Sequence, residues 1–503
     1  MKILFINPPL LVNKAVGDPL IFMPLGIAYI AAVLEHTHAV SILDANVEGW
    51  QRASKEADKH GIGLTFDEIR ERIVRAAPDI VGITIPFSTN AACSLRVAAI
   101  AKEVNPAIIT VLGGPHPSVR PLETLNEPQV DYIVIGEGEQ AMQELVTVLE
   151  SGKLATLPDI KGLGYKENGV AKLTTSRPMN NDLDAIPLPA HHLLPMQLYF
   201  DAFEGGAGAR ADYVYHHRWA SMITSRGCPY NCCFCSIHLS MGKKFRTRSI
   251  DNVMLEIERL VEKYGVRHIN FEDDNLTFHQ ERIQDMCQRI VARGYQFTWS
   301  TPNGIRADKL GEPLIRSMAE SGCRRVFVAP ESGVQHVVNT IIQKKMDLKE
   351  VEQSVRLFAR YKVAVDGSFV MGLIGERKSD IWGTIFYAYR LKRLGMNRAG
   401  FHIATPLFGT RLYDQAVAKG YLTANASAEN MTTGVPQIET PEWTGRDLRR
   451  LQGIANWLVN YGPWQKVHAL LRRWKDLFGF ASVLLEYALN GIKSGSKKAS
   501  ARS

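Results

Sequence analysis

The sequence has no apolar run that approaches the roughly 18 residues a membrane-spanning helix needs, so no transmembrane segment is predicted. Cysteine is also scarce: there are seven, an odd number, and four of them lie between positions 228 and 235. This pattern argues against a disulfide framework and is typical of metal binding in a reducing compartment. The N-terminal apolar run leads into Asn7-Pro-Pro9 instead of a small-residue cleavage site. We therefore expect no signal peptide and a cytoplasmic protein.

Acidic residues are fewer than basic ones, and the formal net charge is +8 over 503 residues. Part of this excess lies at the C-terminal end, where a polar basic segment is typical of a solvated chain end. The residues concerned are Lys493, Lys497, Lys498 and Arg502. The charge therefore does not predict a nucleic-acid partner. With 46% hydrophobic and 22% charged residues, the composition is that of a globular enzyme with several domains.

Residues 1–150 alternate short apolar runs with amphipathic stretches, which predicts a parallel sheet covered by helices on both faces. The predicted strands are Lys2–Ile6, Ala39–Leu43, Ile80–Ile85, Ile108–Leu112 and Tyr132–Ile135. The predicted helices are Leu25–Glu35, Thr65–Ala76, Ser94–Val104 and Glu139–Glu150. We expect a Rossmann-like, flavodoxin-like α/β domain, although it lacks the Gly-x-Gly-x-x-Gly fingerprint of nicotinamide binding.

Candidate binding residues follow the strands of this domain, because open parallel sheets bind ligands at the carboxyl ends of their strands. Glycines at these positions let the backbone approach a large flat ligand or a phosphate. The candidates are Asn7, Pro8, Thr84, Gly113, Gly114, His116, Gly136 and Glu137. For His116, a simple turn residue between two prolines is the alternative.

Residues 151–215 interrupt the alternation and predict a connector that contains a β-hairpin turning at Asn168-Gly169. The proline-bearing stretch Asp182–Ala190 and the small residues Gly205–Ala211 follow, so a domain boundary is predicted near residues 195–215.

Residues 216–413 contain a second βα series, which predicts a partial (β/α)6 barrel of the TIM type. The predicted strands are Ser221–Thr224, His268–Glu272, Gln296–Ser300, Arg325–Ala329, Val363–Met371 and Gly400–Thr405. The predicted helices are Asn252–Tyr264, Gln280–Arg293, Glu312–Ser321, Leu348–Tyr361 and Ile381–Leu394. Polar or glycine-rich residues follow every strand, and these ends are where barrels collect their chemistry.

The first of these strand ends carries the thiols Cys228, Cys232 and Cys235 at Cys-x3-Cys-x2-Cys spacing. Thiolates so close together on one loop indicate a soft metal centre. Together with His238 they could form a closed structural zinc site, which is one alternative. An iron–sulfur cluster with one open iron is favoured, because a zinc site would leave the other strand ends without a role. Cys233, Cys287 and Cys323 are predicted to be buried core thiols.

The cysteine loop, with Phe234 before its last thiol, resembles the signature of the radical S-adenosylmethionine enzymes. Asn7-Pro-Pro9, Pro24-Leu-Gly26, Gly113–Pro117 and Asp184–Ala190 are similar to the cobalamin-binding branch of that superfamily, which includes class B methylases and the anaerobic magnesium-protoporphyrin ester cyclases. The resemblance covers nearly the whole chain. It implies three cofactors: a 4Fe–4S cluster, S-adenosylmethionine and cobalamin.

The resemblance also implies residue roles. Cys228, Cys232 and Cys235 would bind three irons, and Phe234 would contact the adenine. One acid of Glu272, Asp273 and Asp274 would hold the methionine amino group, although the glycines of the family's Gly-Gly-Glu strand are missing. The remaining candidates for S-adenosylmethionine contacts are Glu331, Ser332, Gly372 and Gly375.

The cobalt ligand has one candidate in the N-terminal domain. Asp58-Lys-His60-Gly-Ile-Gly63 matches a pattern by which some cobalamin proteins supply an axial histidine, but it follows the second strand instead of the first. The favoured interpretation is a helix that ends at Lys59-His60 with a glycine cap.

The activity implied is methylation of an unactivated carbon in a specialised metabolite, lipid or tetrapyrrole, by way of a 5′-deoxyadenosyl radical. An oxidative cyclisation or rearrangement is the alternative within the branch, and a non-catalytic cobalamin or zinc sensor is the alternative from another class. The expected partners are a small-molecule substrate and an electron donor such as flavodoxin or ferredoxin.

The C-terminal region, residues 414–503, loses the βα rhythm and predicts helices at Thr444–Val459 and Trp464–Ile492, followed by a basic disordered tail. A helical cap that packs on the barrel is favoured. An amphipathic surface that touches a membrane or a lipid-like substrate is the alternative.

Overall fold

The computed structural model describes residues 1–13, 20–55, 59–206, 213–424, 426–432 and 434–462. Asp58 and the predicted helix Trp464–Ile492 lie outside these residues. That helix carries most of the surface that was the alternative for membrane contact. In the part of the chain that is described, no helix combines the length and the apolar character needed to cross a bilayer.

The N-terminal part alternates strands and helices as predicted. Its strands are β1 (Lys2–Asn7), β2 (Leu10–Asn13), β3 (Ala39–Asp44), β4 (Ala53–Lys55), β5 (Lys59–Ile62), β6 (Ile80–Thr84), β7 (Ile109–Gly113), β8 (Tyr132–Val134), β9 (Leu163–Glu167) and β10 (Val170–Leu173). Its helices are α1 (Leu25–Leu34), α2 (Ala45–Glu48), α3 (Phe66–Ala76), α4 (Ala91–Val104), α5 (Pro115–Val119), α6 (Pro121–Asn126), α7 (Glu139–Ser151) and α8 (Met196–Glu204).

The main N-terminal sheet has the order β10-β9-β8-β7-β6-β1-β3, and the strands from β8 to β3 run parallel. Side chains of a strand alternate between the two faces. On β1, Leu4 and Ile6 join a core with α3 and α4, whereas Ile3 and Phe5 join a second core with α1 and α7. Burial on both faces explains why the strands read as nearly continuous apolar runs.

The hairpin predicted in the connector forms, and it extends this sheet. β9 pairs antiparallel with both β8 and β10. The turn has Asn168 and Gly169 at φ 51° and 79°, the positive values that a tight two-residue turn requires. The connector therefore contributes structure to the N-terminal sheet.

The prediction that a helix ends at His60 is wrong. His60 lies in β5, which pairs antiparallel with β2 and β4 in a small three-stranded sheet. Gly61 and Gly63 weaken helix formation, whereas the strand that follows Pro9 offers backbone partners. Pairing with a distant strand therefore prevails over the local helical signal.

The second βα series forms a parallel six-stranded sheet in the order β11-β14-β15-β16-β17-β18. Its strands and the ribbon β12–β13 are β11 (Trp219–Met222), β12 (Ser225–Arg226), β13 (Arg246–Thr247), β14 (His268–Phe271), β15 (Thr298–Ile305), β16 (Cys323–Glu331), β17 (Ala364–Met371) and β18 (Arg398–Ile403). The helices are α9 (Ile237–Ser240), α10 (Ile250–Glu258), α11 (Gln280–Ala292), α12 (Glu312–Glu320), α13 (Leu348–Arg360), α14 (Lys378–Arg393), α15 (Arg411–Ala418) and α16 (Gly445–Asn460). Strands that are neighbours in this sheet also follow one another along the chain, and all six run parallel. Their carboxyl ends therefore lie at one rim, as in a partial barrel.

Helix α16 covers the edge strand β18. The Asn460 side chain accepts from the Ala399 amide at 2.9 Å and donates to the Ala399 carbonyl at 2.7 Å, and Gln452 donates to the Phe401 carbonyl at 2.7 Å. Amide side chains thus satisfy backbone groups that an open edge would expose. The first predicted C-terminal helix is therefore a cap on the barrel.

Candidate active site

The strand ends of both domains line one cavity of about 800 Å³. From the N-terminal sheet come Asn7 at the end of β1, Thr84 at the end of β6, Gly113 at the end of β7 and the loop after β8. From the barrel come the cysteine loop, the residues that follow β14, and residues at and just beyond the carboxyl ends of β15 and β16. Of the predicted site residues, the cavity brings together Asn7, Thr84, Gly113, Gly114, Gly136, Glu137, Cys228, Cys232, Phe234, Cys235, Glu272, Asp274 and Glu331.

The cysteine loop is tied at both ends by the ribbon β12–β13, whose two strands pair antiparallel. Cys228, Cys232 and Cys235 all face the cavity. Cys233 is buried and points away from it, and its backbone donates to Ile342 and accepts from Leu412. Three thiols of the loop therefore face the cavity, and the backbone of Cys233 anchors the loop to the protein core.

Burial raises the pKa of Cys228, Cys232 and Cys235, the last to about 12. Iron binds the thiolates, so assembly of a cluster must displace these protons. Among the described residues, no group of three metal-ligating side chains is placed to hold a single ion. A 4Fe–4S cluster does not require such convergence, since in a cluster site each thiolate binds a different iron.

The three acids after β14 have different surroundings. Asp273 is fully buried and accepts hydrogen bonds from the Thr224 amide at 3.1 Å, the Thr224 hydroxyl at 2.7 Å and the Ser225 hydroxyl. Glu272 and Asp274 line the cavity, and Glu272 accepts from Ser221 at 3.2 Å. Burial and the neighbouring Asp273 raise the pKa of Asp274 to about 6. Asp273 therefore holds the chain between β11 and β12 in place, whereas the flanking Glu272 and Asp274 line the cavity.

The end of β16 places a buried ion pair beside the thiols. Lys344 donates to Glu331 at 2.8 Å and to the Ala329 carbonyl at 2.5 Å. Burial disfavours its ammonium, but the negative charges of Glu331 and Cys232 raise the pKa of Lys344 above its usual value. Lys344 belongs to a polar stretch after a short helix-like turn, and no sequence pattern distinguished it as a site residue.

A second cation, Arg306, also lines the cavity. The Arg306 guanidinium lies 3.8 Å from the centroid of the Tyr230 ring and forms a forked pair with Asp308 at 3.0 and 2.7 Å. The strand predicted at Gln296–Ser300 is longer than expected, because β15 continues to Ile305. This extension turns Arg306 toward the cysteine loop.

Six predicted site residues are not part of the cavity lining: Asp273, Pro8, His116, Ser332, Gly372 and Gly375. His116 bonds to the Ser88 hydroxyl through Nδ1 at 2.9 Å, and burial lowers its pKa. Ser332 is buried and bonds to the Thr384 hydroxyl at 2.9 Å. Glu376 accepts hydrogen bonds from the Gly372 and Leu373 amides at 2.7 and 3.0 Å, so this loop is closed by its own carboxylate.

Gly372→Ala is expected to destabilise the barrel. The φ of Gly372 is 87°, and a Cβ there would lie 2.6 Å from a methyl of Leu448 on α16. Backbone strain and overpacking together predict a loss of about 2–4 kcal/mol in the free energy of unfolding, measured by denaturant titration. Gly453→Ala on the same α16 is the control, because a Cβ there meets no atom within 4 Å. Equal stability of the two variants would contradict this packing.

The N-terminal side of the cavity forms a cradle. Gly26, Gly113 and Gly136 line it, and a Cβ on Gly26 would meet no atom within 4 Å. Gly114 has φ 108°, and a Cβ there would lie 3.0 Å from the Ile85 carbonyl, so the close approach of β6 and β7 requires glycine. Glycine backbones with open space before them suit a large flat ligand.

Three buried asparagines that line this cavity hold polar atoms without hydrogen-bond partners. Oδ1 of Asn46 and of Asn90 makes no hydrogen bond, and neither polar atom of Asn275 makes one. All three residues line the cavity and are at most 7% exposed. Unpaired buried polar atoms are costly, so such groups indicate where a polar ligand belongs. The residues present therefore fit cobalamin against the cradle, and S-adenosylmethionine and a cluster near the cysteine loop.

Two family profiles match the chain. Residues 17–146 match the B12 binding domain, and residues 222–388 match the Radical SAM superfamily. The first match covers strands β3, β6, β7 and β8 of the sheet that carries the cradle, and the second covers the cysteine loop and most of the barrel.

Similar proteins span nearly the full length. The chain is 34% identical to the uncharacterized methyltransferase PH0819 of Pyrococcus horikoshii, over 98% of each chain. It is 29% identical to the cytidylyl-2-hydroxyethylphosphonate methyltransferase of Streptomyces wedmorensis, over 90% of this chain and 89% of that protein.

The fold is that of a solved radical S-adenosylmethionine methyltransferase, TsrM from Kitasatospora setae, determined with tryptophan substrate and the analogue aza-SAM. The TM-score is 0.68 at 17% identity, covering 90% of this chain and 89% of that one. Taken with the two family profiles and the full-length relatives, the thiols and the cradle that share one cavity establish that the chain belongs to the cobalamin-binding radical S-adenosylmethionine enzymes, with a 4Fe–4S cluster, S-adenosylmethionine and cobalamin as its cofactors.

Proposed function

We propose that this enzyme transfers a methyl group to an unactivated carbon of a small-molecule substrate: a specialised metabolite, a lipid or a tetrapyrrole. The observation that carries the proposal is the single cavity, which has three thiols on one wall and the glycine cradle on the other. When bound, the cluster and S-adenosylmethionine supply a 5′-deoxyadenosyl radical, and cobalamin supplies the methyl group.

The chain itself binds and orients the cofactors. Cys228, Cys232 and Cys235 would hold three irons, which leaves one iron open to the amino and carboxylate groups of S-adenosylmethionine. Asp274 is the acid we assign to the methionine ammonium, because it lines the cavity and its charge acts on both Cys228 and Cys235. Phe234, which also lines the cavity, would contact the adenine.

The remaining cavity residues would exclude water and hold the substrate. The Arg306 guanidinium and the Lys344 ammonium are already paired with Asp308 and Glu331. In this proposal they shape the wall near the thiols. A reduced flavodoxin or ferredoxin in the cytoplasm would supply the electron.

Counting methyl groups tests this function. The anaerobically reconstituted protein, supplied with S-adenosylmethionine carrying a deuterated methyl group, a chemical reductant and a small-molecule extract, should form S-adenosylhomocysteine together with 5′-deoxyadenosine. Mass spectrometry should find the label on carbon in a product. Formation of 5′-deoxyadenosine without any methylated product would instead indicate an oxidative cyclisation or rearrangement. A colourless protein holding one zinc after reconstitution would end the radical hypothesis.

A further inference from the structure

Four charged side chains connect the two domains beside the cysteine loop. Arg226 of β12 donates to Glu137 at 3.1 Å and to Glu139 at 2.7 Å. Arg246 of β13 donates to the two oxygens of Glu137 at 2.8 and 2.9 Å. Glu137 and Glu139 lie between β8 and the start of α7 in the N-terminal domain. We refer to these four residues as the carboxylate clamp.

The clamp is buried. The side chains of Arg246 and Arg226 are 1% and 9% exposed, and those of Glu137 and Glu139 are 8% and 11% exposed. Pairs in this setting are weakly screened by salt, and removal of one partner leaves a buried charge without compensation. The contribution of the clamp to stability should therefore depend less on salt than that of an exposed surface pair, and loss of one partner should cost more.

The register of the ribbon explains why a carboxylate is needed. Arg226 pairs directly with Arg246 across the antiparallel ribbon β12–β13. Like charges at directly opposite positions destabilise a strand pair. Glu137 accepts from both guanidinium groups, so the N-terminal domain supplies the counter-ion for a ribbon that belongs to the barrel.

The clamp also lies between the cysteine loop and the cradle, so it can fix their relative position. Arg226 is two residues before Cys228, and the ribbon closes the loop that carries all three thiols. On the other side, Glu137 follows Gly136 of the cradle. One carboxylate thus holds the cluster loop against the cobalamin cradle.

We propose that Glu137 is a positioning residue that fixes the cluster-bearing ribbon relative to the cobalamin-binding sheet by bridging Arg226 and Arg246. Glu137, predicted from the sequence as a cofactor contact, lines the cavity, and its carboxylate pairs with the two arginines and accepts from the Asn180 amide at 3.1 Å. The inference rests on the proposed function only in assuming that methyl transfer from S-adenosylmethionine to cobalamin occurs in this cavity.

Glu137→Gln in the full-length reconstituted protein tests the proposal. The substitution retains the shape of the side chain and removes one negative charge next to the cysteine loop, so the midpoint potential of the cluster should shift to a more positive value. In a single turnover with chemically reduced protein, S-adenosylhomocysteine formation should slow by about tenfold or more, since a misplacement of about 1 Å can cost about a hundredfold in rate.

Two further variants separate positioning from general destabilisation. Glu144→Gln removes the partly exposed pair between Glu144 of α7 and Arg177 of the connector, and both readouts should stay at the wild-type value. Glu137→Gln combined with Arg246→Gln removes the excess arginine, and because Arg226 keeps Glu139, the potential should return toward wild type. If Glu137→Gln does not fold, Glu137→Asp provides the test: it keeps the charge but shortens its reach, so the potential should stay near wild type while S-adenosylhomocysteine formation slows.

The proposal is overturned if folded Glu137→Gln shows the wild-type potential and rate, if Glu144→Gln shows the same changes, or if the double variant shows no recovery. If the wild-type protein itself forms no S-adenosylhomocysteine with cobalamin, the proposed function is wrong. The shift of the cluster potential in Glu137→Gln and its reversal in the double variant still test the role of the clamp.

Discussion

Cys232→Ala is expected to abolish 5′-deoxyadenosine formation while the protein remains folded. Cys232 lines the cavity between Cys228 and Cys235, and the loop keeps its backbone bond from the Cys235 amide to the Cys232 carbonyl at 3.2 Å. Loss of one sulfur costs about 1 kcal/mol in burial, which a barrel of this size tolerates. The cluster, however, loses one of its three protein ligands.

Iron content, the absorption spectrum and product formation after anaerobic reconstitution measure this effect, with circular dichroism as the test of folding. The matched control is Cys233→Ala, because that neighbouring thiol points into the core and its backbone anchors the loop. The control should keep its iron and its S-adenosylmethionine cleavage, with a modestly lower melting temperature. Persistent 5′-deoxyadenosine formation in Cys232→Ala, or equal loss in Cys233→Ala, would contradict the assignment of the thiols.

Much of the fold could be predicted because the strands are buried on both faces. Their apolar runs stand out from the amphipathic helices between them, so all strands of both parallel sheets were found. The exceptions are the small sheet of β2, β4 and β5 and the ribbon β12–β13. These strands have no more than four residues and depend on pairing between separate segments, which no local pattern encodes.

In the candidate site, too, some residues could be predicted from the sequence and others could not. The thiols and the glycines of the cradle could be found because a fixed spacing or a strand end indicates them. The ion pairs could not: Glu137 meets Arg226 and Arg246 only after two domains come together, and Lys344 meets Glu331 only where β16 ends. Contacts of this kind depend on tertiary geometry, which a single sequence does not display.

The same limit applies to the acids after β14, which are adjacent in sequence but differ in their surroundings. Asp274→Asn is expected to weaken S-adenosylmethionine binding by about tenfold to a hundredfold, since a hydrogen bond to a charged group contributes about 1.5–3 kcal/mol. Cluster content should stay at the wild-type value. Equilibrium dialysis with labelled S-adenosylmethionine on the reconstituted protein measures the affinity.

Asp273→Asn is the matched control for that prediction, and it should lower the stability of the protein instead of its affinity for S-adenosylmethionine. Asp273 accepts from the Thr224 amide and hydroxyl, and an amide NH2 in its place would leave buried donors facing one another. We expect a loss of about 2–4 kcal/mol in the free energy of unfolding with near-normal affinity in the folded fraction. If Glu272→Gln instead carried the large loss of affinity, the methionine ammonium would belong to Glu272, because that carboxylate reaches the same cavity from the other side of Asp273 in the sequence.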